Sequence, residues 1–109
     1  MSASPFPYEG PAEMEAPVVQ ALSRVIDPEF ALTIVDLGLI YGVTVDAERV
    51  HVLLTMTSAA CPVADTIIDD AGHELSQVAG DRAVDVELVW EPPWGPERLS
   101  DRARRFMLG

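Results

Sequence analysis

The chain has 109 residues, of which 49% are hydrophobic, 23% charged and 6% aromatic, and its formal net charge at pH 7 is −11. This composition is typical of one globular domain and excludes a disordered chain. The negative charge disfavours sequence-independent nucleic-acid binding, which depends on Lys and Arg neutralising phosphates. No apolar run reaches the roughly 20 residues of a membrane span, and the N-terminus lacks the pattern of a signal peptide. We therefore expect a cytoplasmic protein with neither nucleic-acid nor membrane partners.

A loose arm and a helix are the first predicted elements. Residues 1–11 contain three prolines and a glycine without periodicity, which predicts a flexible arm. From residue 12, apolar side chains recur every three or four positions and predict an amphipathic helix. Pro17 favours a helix start at residue 16 or 17. Pro28 disfavours helical geometry in the preceding residue, so the helix should end at Asp27.

Two strands follow, over residues 39–46 and 50–57, and their short connection fits a hairpin. In the first strand, Tyr41, Val43 and Val45 alternate with polar or small residues, so these three side chains should share one face. In the second strand both faces carry apolar residues. This pattern predicts a central strand that is covered on both sides.

The next two elements are a helix and a third strand. The helix is predicted from Cys61 to Gly80, because an apolar stripe at helical spacing ends at a glycine. Residues 84–90 alternate as a strand with Trp90 on its inward face. The strand should end before Pro92, because Pro92 and its neighbouring proline cannot donate to a ladder.

A short basic helix is predicted at the C-terminus, over residues 97–109, with Ser100 as its cap or with a start near Pro96. Its apolar side would consist of Leu99, Ala103, Phe106 and Met107. This segment carries net charge +2 and leaves −13 on residues 1–96. A basic helix can pack on its own acidic domain or on a partner.

These elements together predict an α+β fold in the order α-β-β-α-β-α. Helices would cover a small mixed sheet of three or slightly more strands. Residues 12–96 would form the domain.

Cys61 is the single cysteine of the chain and lies directly before Pro62. Proline is favoured at the first position of a helix, so Cys61 is the predicted N-cap, where free backbone N–H groups and the helix dipole stabilise a thiolate. The alternative is an inert buried thiol, since unpaired cysteines are often buried. An internal disulfide is excluded.

Enzymatic partners for this thiol are hard to find. His51 and His73 should each lie roughly 20 Å from the cysteine, along a strand and along a helix respectively. Four tetrahedral zinc ligands are equally unsupported. Two carboxylates remain as candidates, Asp27 in a turn and Asp36 before the first strand. Their alternative role is in turns and caps, for which aspartate is well suited.

Four segments of the chain resemble one known family: DPEF, IVDLGLIYGV, MTSAACP and VWEPPWGPERLSDRAR. The family is that of iron–sulfur cluster assembly proteins, which includes SufT, the phenylacetate-degradation protein PaaD and the eukaryotic cytosolic cluster-targeting subunits. The resemblance runs from about Val18 to the C-terminus. This chain lacks the cysteine-rich C-terminal extension expected of PaaD-type proteins, so it is most similar to a minimal SufT-like domain.

The resemblance implies an α+β fold, a homodimer, and a part in the maturation or delivery of iron–sulfur clusters with Cys61 as the functional residue and metal ligand. It also implies that one site is lined by Asp27, Glu29, Thr57, Ser58 and Cys61. The cluster or iron would be held transiently, since clusters usually need four thiolates and this chain offers one. Its partners would be apo iron–sulfur clients or assembly proteins.

Two other functions stay open. The chain could be a metal-free adaptor that binds an apo client or an oxygenase complex during its maturation, and since Trp and Arg are favoured interface anchors its contact residues would be Trp94, Arg98, Arg102 and Arg105. A thiol enzyme ranks third, and we expect no catalytic residues. Replacing Cys61 would abolish a carrier, whereas an adaptor would fail on changes at Trp94 or Arg102.

Overall fold

The computed structural model of the chain describes residues 5–57 and 64–108, the last two of them by backbone alone. The helices are α1 (Ala12–Leu22), α2 (Ala64–Ala79) and α3 (Asp101–Leu108), and a 3-10 turn (Pro96–Arg98) precedes α3. The strands are β1 (Tyr8–Glu9), β2 (Ile26–Asp27), β3 (Leu32–Thr33), β4 (Ile40–Val45), β5 (Arg49–Leu54) and β6 (Ala83–Leu88). The predicted α+β fold is confirmed.

The main sheet has four strands in the order β1-β4-β5-β6. The predicted hairpin is the antiparallel pair β4–β5, while β1 runs parallel to β4 and β6 runs parallel to β5. Strands β2 and β3 form a separate antiparallel pair. Helices α1 and α2 contact each other, and α2 packs on β5 and β6. The sheet is therefore mixed, with β5 as a central strand.

The core lies between β5 and the helices. Val50, Val52 and Leu54 alternate along β5, and all three side chains are fully buried. On the opposite face, His51 and Leu53 are half-exposed, so the prediction that this strand is covered on both sides is wrong. Among the described elements, α1 and α2 supply the cover of the sheet, and they leave its second face open.

Helix α1 differs from its prediction at both ends. It begins at Ala12 and contains Pro17 inside it, and it ends at Leu22 rather than at Asp27. After Leu22 the chain turns, and Ile34 N–H donates to the Val25 carbonyl at 3.0 Å. The apolar spacing continues past the helix end because Val25 is also a core residue, although it belongs to the β2–β3 hairpin region. At Val25 the sequence pattern cannot distinguish another turn of an amphipathic helix from a buried apolar residue in the loop that follows it.

A bulge shifts the face pattern of β4. Ile40 pairs with Leu54 and Gly42 pairs with Leu53, so Tyr41 is the extra residue. Ile40 is consequently buried and Tyr41 is half-exposed, whereas the alternation predicts Tyr41 on the same face as Val43. A bulge adds one residue to one strand and so reverses the alternation beyond it.

The chain ends also depart from the pattern. Phe6 is buried and residues 8–9 pair with β4, so part of the segment before Ala12 belongs to the sheet. Trp90 is 43% exposed and lies beyond the end of β6, and Phe106 is 67% exposed on α3. Both are predicted to face inward and do not. Among the described side chains of the C-terminal segment, the buried ones are Leu99, just before α3, and Ala103 on α3.

Candidate functional site

The turn between β2 and β3 is built around Asp27. Its side chain is 1% exposed, and Oδ1 accepts a hydrogen bond from the Glu29 backbone N–H at 2.9 Å. The Asp27 carbonyl accepts from the N–H groups of Phe30 and Ala31. This arrangement is an Asx turn, in which the carboxylate stands in for a backbone acceptor. One carboxylate oxygen is sufficient for it.

The second oxygen of Asp27 has no such use. Oδ2 is buried and has no hydrogen-bond partner among the described residues. Burial raises the pKa of the Asp27 carboxyl above its usual range; the Glu29 N–H opposes this rise, and the nearby Glu29 charge adds to it. A buried carboxylate oxygen without a partner destabilises the fold. The turn alone does not explain why this position carries an acid.

Backbone hydrogen bonds connect the Asp27 turn to the end of β5. Val25 accepts from Ile34 N–H, Ile34 accepts from Leu39 N–H, and Leu39 accepts from Thr55 N–H at 2.8 Å. Thr55 is 1% exposed, and its hydroxyl also lacks a partner among the described residues. Thr57 follows two positions later and is half-exposed. These backbone hydrogen bonds link the segment before the Asp27 turn to the segment that follows β5. That Asp27 and Thr57 share one site stays a prediction.

The sequence pattern does not predict that the Thr55 hydroxyl is buried without a partner among the described residues. Its position in the alternating pattern indicates a face of the strand, and a pattern of faces carries no information on whether a buried hydroxyl finds a partner. Glu29 is exposed in the turn after Asp27. The predicted site residues Ser58 and Cys61 lie outside the described residues, as does the predicted helix start at Pro62. Within residues 5–57 and 64–108, no three His, Cys, Asp or Glu side chains are grouped so as to hold a metal ion.

For Asp36 the sequence leaves two alternatives, a site carboxylate or a residue of a turn or cap, and the structure shows hydrogen bonds of the second kind. Thr33 Oγ1 donates to its Oδ2 at 3.1 Å, and Ser100 Oγ donates to its Oδ1 at 2.8 Å. Its carbonyl accepts from Ser100 N–H. Both carboxylate oxygens are engaged, so Asp36 fastens the C-terminal segment to the turn before β4.

Two of the predicted partner-binding residues make contacts inside the chain. Trp94 Nε1 donates to the Leu37 carbonyl at 2.7 Å, and Arg98 Nε donates to the Gly38 carbonyl at 2.8 Å. The Arg98 guanidinium lies 4.2 Å from the centre of the Tyr41 ring. Gly38 has a φ of +73°, and a Cβ there would collide with the Arg98 carbonyl, so only glycine allows this close approach of the two segments.

The other two, Arg102 and Arg105, are exposed on α3. In the described part of the chain they form no ion pair with a carboxylate. The described helices include none that is long and apolar enough to cross a bilayer.

The open face of the sheet contains a cleft of about 490 Å³, bordered among others by Tyr8, Tyr41, His51 and Leu53. His51 Nε2 lies 3.0 Å from a Glu87 carboxylate oxygen beside it. Asp27 and Thr57 do not line this cleft. It is therefore a second concave surface, separate from the Asp27 turn.

Comparison with known proteins identifies the family. The sequence pattern of the family described as "Iron-sulfur cluster assembly protein" matches residues 15–88. The chain is 37% identical over 93 residues to the Fe-S protein maturation auxiliary factor YitW of Bacillus subtilis, a match that covers 84% of this chain and 90% of YitW. It is 41% identical over 86 residues to the Fe-S protein maturation auxiliary factor SufT of Staphylococcus aureus, covering 78% of this chain and 97% of SufT.

Comparison of the fold with solved structures agrees with the comparison of sequences. A crystal structure of a domain of unknown function from Bacillus anthracis superimposes with a TM-score of 0.79 at 39% identity, covering 85% of this chain and 90% of that one. The match at sequence level therefore extends to the arrangement of helices and strands. The chain belongs to the iron–sulfur cluster assembly protein family, and within it is SufT-like.

Proposed function

We propose that this protein acts in the maturation of iron–sulfur proteins by holding a cluster or iron transiently and passing it on through Cys61. The names of its relatives YitW and SufT, both Fe-S protein maturation auxiliary factors, support the maturation role. Asp27, Glu29, Thr57 and Ser58 would surround the cargo. The cluster is cargo here and not a resident redox centre.

The observation that carries this proposal is the buried Oδ2 of Asp27, which has no hydrogen-bond partner among the described residues. Selection retains a destabilising group where function requires it. The family resemblance implies that Asp27 and Cys61 line one site, and a carboxylate oxygen is a ligand that iron would accept when thiolates are too few. Such a mixed ligand set would hold a cluster less firmly than four thiolates.

The ligand count also favours a homodimer. Clusters are usually held by four thiolates, and one chain supplies one cysteine. Two copies would supply two, and Asp27 or a client's own cysteines would complete the set. Incomplete ligation by the carrier favours release to an apo client, because the client offers the better ligands.

A metal-free adaptor is the second candidate, and the exposed face of α3 favours it. Arg102 and Arg105 project from this helix without a described ion-pair partner, and Phe106 is exposed beside them. An aromatic side chain flanked by arginines is a common interface anchor. Trp94 and Arg98 are engaged within the chain and would contribute indirectly, by fixing the segment that carries α3.

Anaerobic reconstitution with iron and sulfide tests the carrier. We expect the wild-type protein to develop absorption at about 400 nm and above, as thiolate-bound clusters do, together with a dimer by sedimentation. Cys61→Ser should abolish the absorption and Asp27→Asn should reduce it. The matched control is Asp46→Asn, because Asp46 also accepts backbone hydrogen bonds in an Asx turn but is exposed and distant in sequence from the site.

Full absorption in Cys61→Ser would contradict the carrier. Absence of absorption in every form, with client capture that survives Cys61→Ser and is lost in Arg102→Glu with Arg105→Glu, would establish the adaptor instead.

A further inference from the structure

The two edges of the main sheet are built differently. At one edge β1 has two residues and lies between Pro7 and Pro11, which limits pairing with another strand. At the other edge β6 has six residues without a proline or a bulge. No described strand pairs with its outer side. One edge is protected and the other is open.

The hydrogen bonds of β6 show which backbone groups are free. Ala83 N–H donates to the Glu48 carbonyl, and Val89 N–H donates to the Leu54 carbonyl, both across to the β5 side. In a parallel pair, alternate residues point to the same neighbour. The N–H and C=O groups of Val84, Val86 and Leu88 therefore point outward, away from β5. They form one side of a ladder for which residues 5–57 and 64–108 supply no second strand.

The side chains of those three residues are incompletely covered as well. Val84, Val86 and Leu88 pair in register with Val50, Val52 and Leu54, respectively. The β5 residues are fully buried, whereas their β6 counterparts are half-buried. An apolar strip therefore runs beside the open edge on the helix-covered face of the sheet.

Acidic side chains mark the other face of the same strand. Asp85 and Glu87 are exposed; Arg49 lies 3.6 Å from an Asp85 oxygen, and His51 lies 3.0 Å from a Glu87 oxygen. If a second copy of β6 continued the sheet in antiparallel fashion, these acids would lie opposite the same acids. Like charges directly opposite destabilise a strand pair, so the charge pattern disfavours self-association at this edge.

We propose that the open edge of β6 binds an extended segment of a different protein as an added strand. The segment's backbone would pair with Val84, Val86 and Leu88. Its side chains would alternate between apolar groups, which cover the half-buried strip, and Lys or Arg, which face Asp85 and Glu87. Strand addition of this kind draws affinity from backbone hydrogen bonds and specificity from alternate side chains. The proposal does not depend on whether Cys61 holds a cluster.

Amide hydrogen exchange with a synthetic peptide tests it. The probe is a blocked hexapeptide in which Lys and Val alternate, added in excess to the ¹⁵N-labelled full chain. We expect the amides of Val84, Val86 and Leu88 to exchange at least about tenfold more slowly, because the outward N–H groups acquire acceptors. The amides of Asp85 and Glu87, which already point to β5, should change little.

Two controls separate strand addition from simple charge attraction to an acidic protein. A peptide of the same composition with its lysines and valines in two blocks should give no protection at β6. Asp85→Lys with Glu87→Lys should lower affinity for the alternating peptide at least about tenfold and favour a Glu–Val peptide instead. Asp69→Lys with Asp70→Lys is the matched variant, because it makes the same charge change on the exposed side of α2.

Three outcomes would overturn the proposal. One is equal binding by the control peptide, whose lysines and valines are grouped in two separate runs. Another is protection confined to other strands. The last is concentration-dependent protection of Val84, Val86 and Leu88 without any peptide, because a second copy would then occupy the edge.

Discussion

Asp27 combines a structural use and an apparent cost in one side chain. Its Oδ1 completes the turn, which an asparagine could do equally well, while its buried Oδ2 has no described partner. Because burial raises the pKa of this carboxyl, the folded protein binds the proton more readily than the unfolded chain does. The stability linked to this group is thus present at acid pH and is lost as the pH rises through the folded-state pKa.

Asp27→Asn should accordingly increase the free energy of unfolding at neutral pH by about 1 kcal/mol, since it removes a buried charge without breaking the turn. The gain should shrink as the pH falls through the raised folded-state pKa of Asp27, because the wild-type carboxyl then also becomes neutral. Urea denaturation of both proteins from neutral to acid pH would measure the difference in their free energies of unfolding. The control is Asp46→Asn at an exposed turn, which should change little at any pH. A loss of stability in Asp27→Asn at neutral pH would show that Oδ2 has a stabilising role.

For single residues, the sequence can identify candidate site residues but cannot predict their hydrogen-bond partners. Asp27 and Thr57 are candidate site residues through the family resemblance, and their shared site stays a prediction. The buried Thr55 hydroxyl and the engagement of both Asp36 oxygens could not be predicted, because each depends on chain segments that are distant in sequence. Ser100, for example, is 64 residues from Asp36.

Among the elements, α3 shows how one cap can fix a whole terminal segment. Ser100 Oγ accepts from Ala103 N–H at 3.1 Å as an N-cap and donates to Asp36 Oδ1. The helix is short, so its formation depends on this cap and on the burial of Leu99 and Ala103. The prediction of Ser100 as cap is confirmed.

Ser100→Ala should therefore lower the free energy of unfolding by about 1–2 kcal/mol, through loss of the cap and of the bond to Asp36. Chemical denaturation monitored by circular dichroism would measure this. Ser76→Ala is a suitable comparison, since Ser76 Oγ bonds only a carbonyl on the exposed side of α2, and it should cost less. Equal losses in the two variants would mean that the cap and the link to Asp36 together stabilise the fold no more than an exposed hydroxyl bonded to a carbonyl does.

Elements with one strong period were predicted well. The apolar stripe of α2 has Ile67, Ala71 and Leu75 in the core and ends at Gly80 with a φ of +67°, as its pattern indicates. Prediction failed where the backbone is irregular, at the end of α1 and at the β4 bulge. A pattern of faces assumes a constant repeat, and a turn or an inserted residue breaks that assumption.

For the whole molecule, the order of the strands in the sheet was not predictable from periodicity. The alternating pattern identified β4, β5 and β6 but not the pairing of β1, which rests on two residues in a proline-rich segment. That pairing leaves β6 as the open edge. The pattern of elements predicted the α+β fold and the family resemblance implied the maturation role, whereas the edge that could bind a partner depends on the order of the strands in the assembled sheet.

The different surroundings of the two tryptophans have an optical consequence. The indole of Trp94 is half-buried and bonded to the Leu37 carbonyl, whereas Trp90 is exposed. In Trp90→Phe the remaining fluorescence should be blue-shifted and poorly quenched by iodide, while in Trp94→Phe it should be red-shifted and readily quenched. The reverse order would show that the indole of Trp94 is not held. With the expected order, Trp90→Phe provides an intrinsic emission signal that reports, during unfolding or client binding, whether the C-terminal segment has left the body of the protein.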